Sequence, residues 1–365
     1  MYIRYSEDKI KQKDLSEVID QIYYLDPDVK KVERKSGYLI IHYEGIHEKV
    51  FLKQLEAVLN DRERTIKKVR LADNLIHPIV KKEVSQKVNK EVIFRLHECI
   101  KKMLDEISRK FKGSPARFST LMDSELMERS KYAYHFPQNI YRIAEIRHQK
   151  ERLDEYRINM EKGHKVEDLF EVNSHFLRPC LCYFAYDERK DQSFDRDLEV
   201  IYSYGSCYRH EHDKKISAHR SRDFTMYEII YLGSKEKVEN LRKDIIQEVW
   251  ELFNRIGLRG YIETANDPFF IKNDRNRIAF QRAAEMKYEL IFSPNEDLSF
   301  SIGSFNLVGE VLTQSFGIKG KQGENVSSGC TAFGVDRWVE AILYTFGDNL
   351  ENWPTYLRER IGDEK

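Results

Sequence analysis

Tyr204-Gly205-Ser206-Cys207-Tyr208-Arg209-His210-Glu211 and, after a polar interval, Arg222-Asp223-Phe224-Thr225-Met226-Tyr227-Glu228 are the segments from which the fold of this chain is read. The interval holds Asp213, Lys214, Lys215, Ser217, His219 and Arg220, a composition too polar for a core. The pattern is strand, exposed basic loop, strand. A loop of this kind can hang Arg and His over a triphosphate while the strands hold an Arg and a Glu beneath it. Arginine suits that task because its planar fork makes paired, charged hydrogen bonds to phosphate oxygens. Phe224 offers a flat face to a purine. The same residues also fit an ordinary charged hairpin with Phe224 in the core.

Downstream, Ser327-Ser328-Gly329-Cys330-Thr331-Ala332-Phe333-Gly334-Val335-Asp336-Arg337-Trp338 is a small-residue run that lets a backbone approach a ligand closely. A helix starting after Gly334 carries Arg337 in its first turn. Either its charge meets a phosphate, or it forms a salt bridge after a glycine turn. Leu198–Tyr202, Thr225–Tyr231, Tyr288–Phe292 and Ser299–Ile302 read as strands, and Lys235–Ile256 as a strong helix. Strands in hairpin order with helices beside them imply an antiparallel sheet in an α+β domain.

Upstream, residues 1–62 read as a small α/β unit. Tyr2–Tyr5 forms a strand, Leu15–Leu25 a helix, Val29–Glu33 and Tyr38–Tyr43 a hairpin about Ser36-Gly37, and Val50–Leu59 a second helix. Residues 63–112 comprise a polar connector (Arg62–Pro78) and a long amphipathic helix. Its stripe is Val84, Val88, Val92, Leu96, Ile100, Met103, Leu104 and Ile107. Between Glu63 and Lys112 stand 14 Lys/Arg against 7 Asp/Glu. That surplus is either a solvated helix face or a docking surface for an acidic partner. Gly113-Ser114-Pro115 ends the helix, and residues 113–365 form the third region.

Over the whole chain, 61 basic and 61 acidic side chains cancel, so any polyanion site is a local patch. No apolar run is long enough to span a membrane. The opening MYIRYSEDKIKQK lacks the apolar core of a secretory signal. Five cysteines (Cys99, Cys180, Cys182, Cys207 and Cys330) are too few and scattered for a disulfide framework, and point to a reduced, cytoplasmic protein.

Arg209-x-Glu211, a basic loop and Arg222-Asp223-Phe224-x-Met226-x-Glu228 resemble motif 2 of class II aminoacyl-tRNA synthetases, and Gly334-Val335-Asp336-Arg337-Trp338 resembles their motif 3. The version Gly329-Cys330-Thr331-Ala332-Phe333-Gly334 is similar to the archaeal methanogen-type seryl-tRNA synthetases. It also resembles their relatives, the amino acid:[carrier protein] ligases. Leu177-Arg178-Pro179-Cys180-Leu181-Cys182, Tyr132-Ala133-Tyr134-His135-Phe136-Pro137 and Ser304-Phe305-Asn306 extend the resemblance from about Ser114 to the end. It implies a class II antiparallel sheet core flanked by helices, preceded here by the small N-terminal unit and the long connecting helix.

The resemblance further implies a catalytic Zn²⁺ held by Cys182, Glu228 and Cys330, with an open position for the substrate's α-amino group. Cys180, two residues from Cys182, is the competing assignment. Cys207 is expected to pack against the sheet and Cys99 to fill the helix core. Arg209 would hold the α-phosphate of ATP, and Glu211 would orient the adenine or the loop. Phe224 would stack on the ring and Arg337 would grip the γ-phosphate, with His219 or Arg220 closing from the loop. Glu310 would help hold Mg²⁺. The implied activity is ATP-dependent adenylation of a small amino acid (glycine, alanine or serine), followed by transfer to the phosphopantetheine thiol of a carrier protein. Two alternatives remain open: charging of tRNA, and a catalytically silent paralogue that binds or regulates. Class II cores of this kind imply a homodimer.

Overall fold

The computed structural model describes residues 1–10, 15–60, 68–84, 90–265 and 286–362. Near the N-terminus, strands β1 (Tyr2–Ser6), β2 (Val29–Lys35) and β3 (Tyr38–Tyr43) pair antiparallel in the order β1-β3-β2, beside helices α1 (Leu15–Tyr23) and α2 (Glu48–Leu59). Ser36 and Gly37 both take positive φ (50° and 75°) at the β2–β3 turn, the backbone a tight hairpin requires. Alternate residues of β3, Leu39, Ile41 and Tyr43, are buried against Val18, Ile22, Phe51 and Leu55, so this unit has a core of its own.

Beyond it come β4 (Arg70–Asp73), α3 (Lys90–Lys110), β5 (Ser114–Pro115), β6 (Leu121–Met122), β7 (Arg142–Ile146), β8 (Phe170–Leu177) and α4 (Cys182–Asp187). They are followed by β9 (Leu198–Tyr208), β10 (Asp223–Gly233), α5 (Lys235–Ile256), β11 (Gly260–Thr264), β12 (Lys287–Phe292), β13 (Phe300–Gly309), β14 (Ser327–Gly334) and α6 (Val335–Phe346). The central sheet runs β4-β11-β12-β13-β14-β10-β9-β5, antiparallel throughout except where β5 joins β9. β8 lies between β6 and β7 in a separate three-stranded sheet.

Side chains alternate across each strand, and that alternation divides the molecule. Tyr227, Ile229 and Tyr231 of β10 enter one core, packed against Leu96, Ile100, Val238, Ile245, Trp338 and Ile342 of α3, α5 and α6. Met226 and Ile230 enter a second core on the opposite face, with Leu181, Cys182, Cys207 and Cys330. The helices cover the first face. The second is left to the chemistry.

The two stretches read as strand at Leu198–Tyr202 and from Tyr204 form one strand to Tyr208, while the strand expected at Ser299–Ile302 continues to Gly309. Glycines interrupt the apolar signal in both because they weaken strand propensity, yet the backbone at Gly205 is closely packed. A Cβ there would lie 2.3 Å from the Arg178 guanidinium. Val84 is not helical, the described part of α3 opens at Lys90, and Val88 lies outside the described residues. The segment before it is drawn out along neighbouring backbone, with Ile79 N–H donating to the Pro294 carbonyl (2.6 Å) and Lys82 N–H to that of Tyr344 (3.1 Å). On α3 the basic residues are largely matched. Arg95 pairs with Glu91 (2.7 Å), Lys101 with Asp105 (2.9 Å), and Lys110 with Glu248. The solvated-face reading fits this helix. Among the described residues no helix is long and apolar enough to cross a membrane.

A buried polar knot joins α3 to the sheet: Tyr227 donates its hydroxyl to Asp105 (2.9 Å) and lies 2.9 Å from the Ser108 hydroxyl. Tyr227→Phe strips Asp105 of a donor inside the core. It should lower unfolding free energy by about 1–3 kcal/mol, read as a lower urea midpoint with an unchanged slope.

Candidate active site

β8 delivers the chain to a turn, Arg178 to Leu181, from which α4 departs. Within it Cys180 Sγ lies 3.6 Å from Cys182 Sγ, and both ligand atoms lie within 4.8 Å of a Glu228 carboxylate oxygen. Had Cys180 and Cys182 stood in a strand, they would share its face. The strand ends at Leu177, however, and it is the turn that brings the two thiols together. Glu228 comes from the middle of β10, where it is 1% exposed. Cys330 lies on β14, where Ile230 pairs with Cys330 and Glu228 with Ala332, so Glu228 and Cys330 are diagonal neighbours on one face. The Cys330 thiol reaches that of Cys182 and receives Asn306 Nδ2 at 3.6 Å.

Glu228 Oε1 accepts a hydrogen bond from Leu181 N–H (3.1 Å), while Oε2 is buried with no hydrogen-bond partner. Burial pushes this carboxyl above its ordinary value, opposed by the Leu181 and Cys182 N–H groups, the Cys182 thiol and Arg209. The neighbouring Cys180 and Cys330 thiols, and then burial, push Cys182 well above the usual thiol range. Buried sulfurs around an orphaned carboxylate oxygen form a donor set suited to Zn²⁺. Cys182 and Glu228 belong to the tight group, and Cys330 adjoins it through Cys182. Cys180, weighed against Cys182 in the sequence, stands inside the group as well. Cys207 is fully buried, and Cys99 is held up to about 11 by burial within α3, so both behave as core thiols.

Beside this cluster three arginines converge. Arg209, at the end of β9, donates from Nε to the Pro179 carbonyl (3.2 Å) and stands over the Phe224 ring at 5.3 Å. Burial works against its charge, but Tyr132, Cys180, Cys207 and Glu211 more than offset that, and the net shift is upward. Arg337, in the first turn of α6, donates to the carbonyls of His219 (2.8 Å) and Ser301 (2.9 Å). Burial, then Arg209 and Arg220, bring its pKa down to about 10. Burial and the neighbouring cations together place this guanidinium in surroundings short of negative charge. Arg220 Nε meets Glu211 at 2.8 Å, and Arg222 Nε donates to the Glu211 carbonyl at 2.9 Å, which folds the loop back on its own strand ends. His219 stacks flat on Phe300 (4.4 Å between ring centres, 5° between planes). Its pKa is lowered by burial, then by Arg337 and Arg220.

The structure thus gathers Arg209, Glu211, His219, Arg220, Phe224 and Arg337 around one loop. Glu310 is not among them. It lies beyond the far end of β13 from Ser301, the residue Arg337 touches, with eight residues between them, a span of up to about 30 Å in extended strand. Its carboxylate takes Gln314 Nε2 at 3.1 Å instead. The carboxylates that act electrostatically on Arg337 are Glu289 and Glu211. Glu289 escaped sequence reasoning because Lys287-Tyr288-Glu289-Leu290 reads only as an alternating strand. Its cross-strand pairing with Ser304, next to β14, is a tertiary fact.

Residues 165–346 match the family model described as the tRNA synthetase class II core domain (G, H, P, S and T). The type-2 serine–tRNA ligase of Methanopyrus kandleri is 26% identical over 285 residues, covering 72% of this chain and 53% of that protein. The chain therefore spans about half the length of the serine–tRNA ligases it matches. Amino acid–[acyl-carrier-protein] ligase 1 of Bradyrhizobium diazoefficiens is 25% identical over 297 residues, covering 80% of this chain and 89% of that one. Among solved structures, M. kandleri seryl-tRNA synthetase in complex with A. aeolicus tRNASec superposes with a TM-score of 0.71 at 20% identity. The match covers 94% of this chain and 75% of that one, and it establishes the fold.

Protons must leave the buried thiols and carboxyl before these groups can ligate, so metal affinity should climb with pH. Competition titrations with a chelator at about pH 6 and about pH 8 should give zinc binding at least ~10-fold tighter at the higher value, with measurable proton release. Affinity independent of pH would mean that the cluster does not take the metal.

Proposed function

Because residues 165–346 are a class II tRNA synthetase core domain, homologous to type-2 serine–tRNA ligases and to an amino acid–[acyl-carrier-protein] ligase, we propose that this chain activates a small amino acid with ATP. In this reading it then passes the aminoacyl group to the phosphopantetheine thiol of a carrier protein. The observation that carries the reading is Arg209, which joins a cluster of metal donors to a cradle of cations. Its Nε holds the carbonyl of Pro179, the residue before Cys180, and its charge faces Glu211 and Phe224.

Cys182, Glu228 and Cys330 would hold the Zn²⁺. When bound, that ion supplies a Lewis-acid point for the substrate's free amine, so that carboxylic acids lacking one are refused. Arg209 holds the α-phosphate and meets the charge that develops as the carboxylate attacks in line. A carboxylate is already a nucleophile at neutral pH, so no catalytic base is needed. Arg337 takes the γ-phosphate, exchanging the His219 carbonyl for it, and Arg220 closes from the loop. Phe224 stacks on the purine and Glu211 orients it. Glu289, facing Arg337, serves Mg²⁺ in place of Glu310. The homodimer and the reducing, cytoplasmic setting belong to the same proposal, and all five cysteines are free thiols.

One observation favours the protein acceptor over tRNA: between Glu63 and Lys112 the basic residues are interleaved with only two aromatic rings, Phe94 and Phe111, fewer than a stacking platform for single-stranded RNA uses.

Purified protein should exchange pyrophosphate into ATP only when glycine, alanine or serine is present, and Arg209→Ala should cut that rate by about 100- to 1,000-fold. Absence of exchange with all twenty amino acids would favour the silent paralogue. Labelled amino acid should next reach the thiol of a phosphopantetheinylated carrier protein. Label that goes to tRNA and never to the thiol would overturn the carrier-protein assignment.

A further inference from the structure

We propose that Cys180 is a fourth metal donor at this site, and that it is the donor released when the amino acid's amine arrives. The inference rests on the metal role given above and adds a residue to it. Among the described residues, the group whose ligand atoms all lie within 4.8 Å of one another is Cys180, Cys182 and Glu228; Cys330 joins through its contact with Cys182. The 3.6 Å between the Cys180 and Cys182 sulfurs is close to the edge of a tetrahedron with bonds of about 2.3 Å, an edge of about 3.8 Å. All three cysteines and Glu228 are buried, so the sulfur of Cys180 has no aqueous alternative.

The backbone says which donor can leave. Glu228 and Cys330 lie inside paired strands, and Cys182 opens α4. Cys180 sits in the turn between β8 and α4, where its side chain can swing without breaking a sheet ladder. At rest the protein therefore supplies all four donors of a closed site, three sulfurs and one oxygen. The incoming ammonium gives its proton to the departing Cys180 thiolate as the neutral amine takes that thiolate's place, so protons and charge balance.

Zinc K-edge X-ray absorption on the full-length, zinc-loaded protein tests this. About three sulfurs are expected in the wild type, about two in Cys180→Ser, and about three in Cys99→Ala, whose thiol lies in α3 away from the site. Saturating glycine, alanine or serine, whichever supports pyrophosphate exchange, should bring the wild type from about three sulfurs to about two. If the sulfur number does not fall, Cys180 is a permanent ligand and its release is refuted. About two sulfurs in the resting wild type, unchanged in Cys180→Ser, refute Cys180 as a donor while leaving the proposed function intact, provided the protein holds zinc and exchanges pyrophosphate. A chain that binds no zinc overturns both.

Discussion

The hydrogen bond from Leu181 N–H to the Glu228 carboxylate ties the cysteine turn to the middle of the central sheet. Glu228 is buried, and an isolated carboxylate in such a place is costly unless charge or donors compensate. Two backbone N–H groups, a thiol and Arg209 lower that cost only in part, because the carboxyl is still raised overall. A cation shared with the neighbouring sulfurs would complete the compensation. The turn is therefore held in register with β10 by the same group that a metal would use.

The arginine cradle has the complementary imbalance. Arg209 and Arg220 act on Arg337 as like charges, opposed by Glu289 and Glu211. Arg337 donates to the carbonyls of His219 and Ser301. Those are neutral acceptors that an anion can replace. A site short of cations and a site short of anions thus lie side by side, bridged by Arg209. That juxtaposition is what the proposed adenylation requires, since the amino acid and the triphosphate must be gripped side by side.

Both imbalances depend on the division of the sheet into two faces. Tyr227, Ile229 and Tyr231 bind the helical layer, and that packing leaves Met226, Glu228 and Ile230 facing the turn of Cys180–Cys182. Shifting β10 by a residue would bury the tyrosines with the cysteines and send Glu228 into the helices. The apolar alternation of one face therefore protects the polar chemistry of the other.

Much of this was legible in the chain itself. Apolar spacing located α5 at its observed ends, the Ser36-Gly37 turn identified the N-terminal hairpin, and the Arg, Glu and Gly patterns marked β9, β10, β14 and α6 as the working elements. These are local signals, carried by periodicity and turn chemistry. The strand extension to Gly309, the displacement of Glu310 and the nearness of Glu289 to Arg337 were not legible, because each depends on pairing between distant segments. The same holds for the sulfurs. Sequence determined which residues can ligate, while spacings of 46 and 102 positions separate Cys182, Glu228 and Cys330. Only the turn after β8, pinned by Glu228, decided that Cys180 stands among them, since contact distance between side chains is a property of the folded backbone and not of spacing along it.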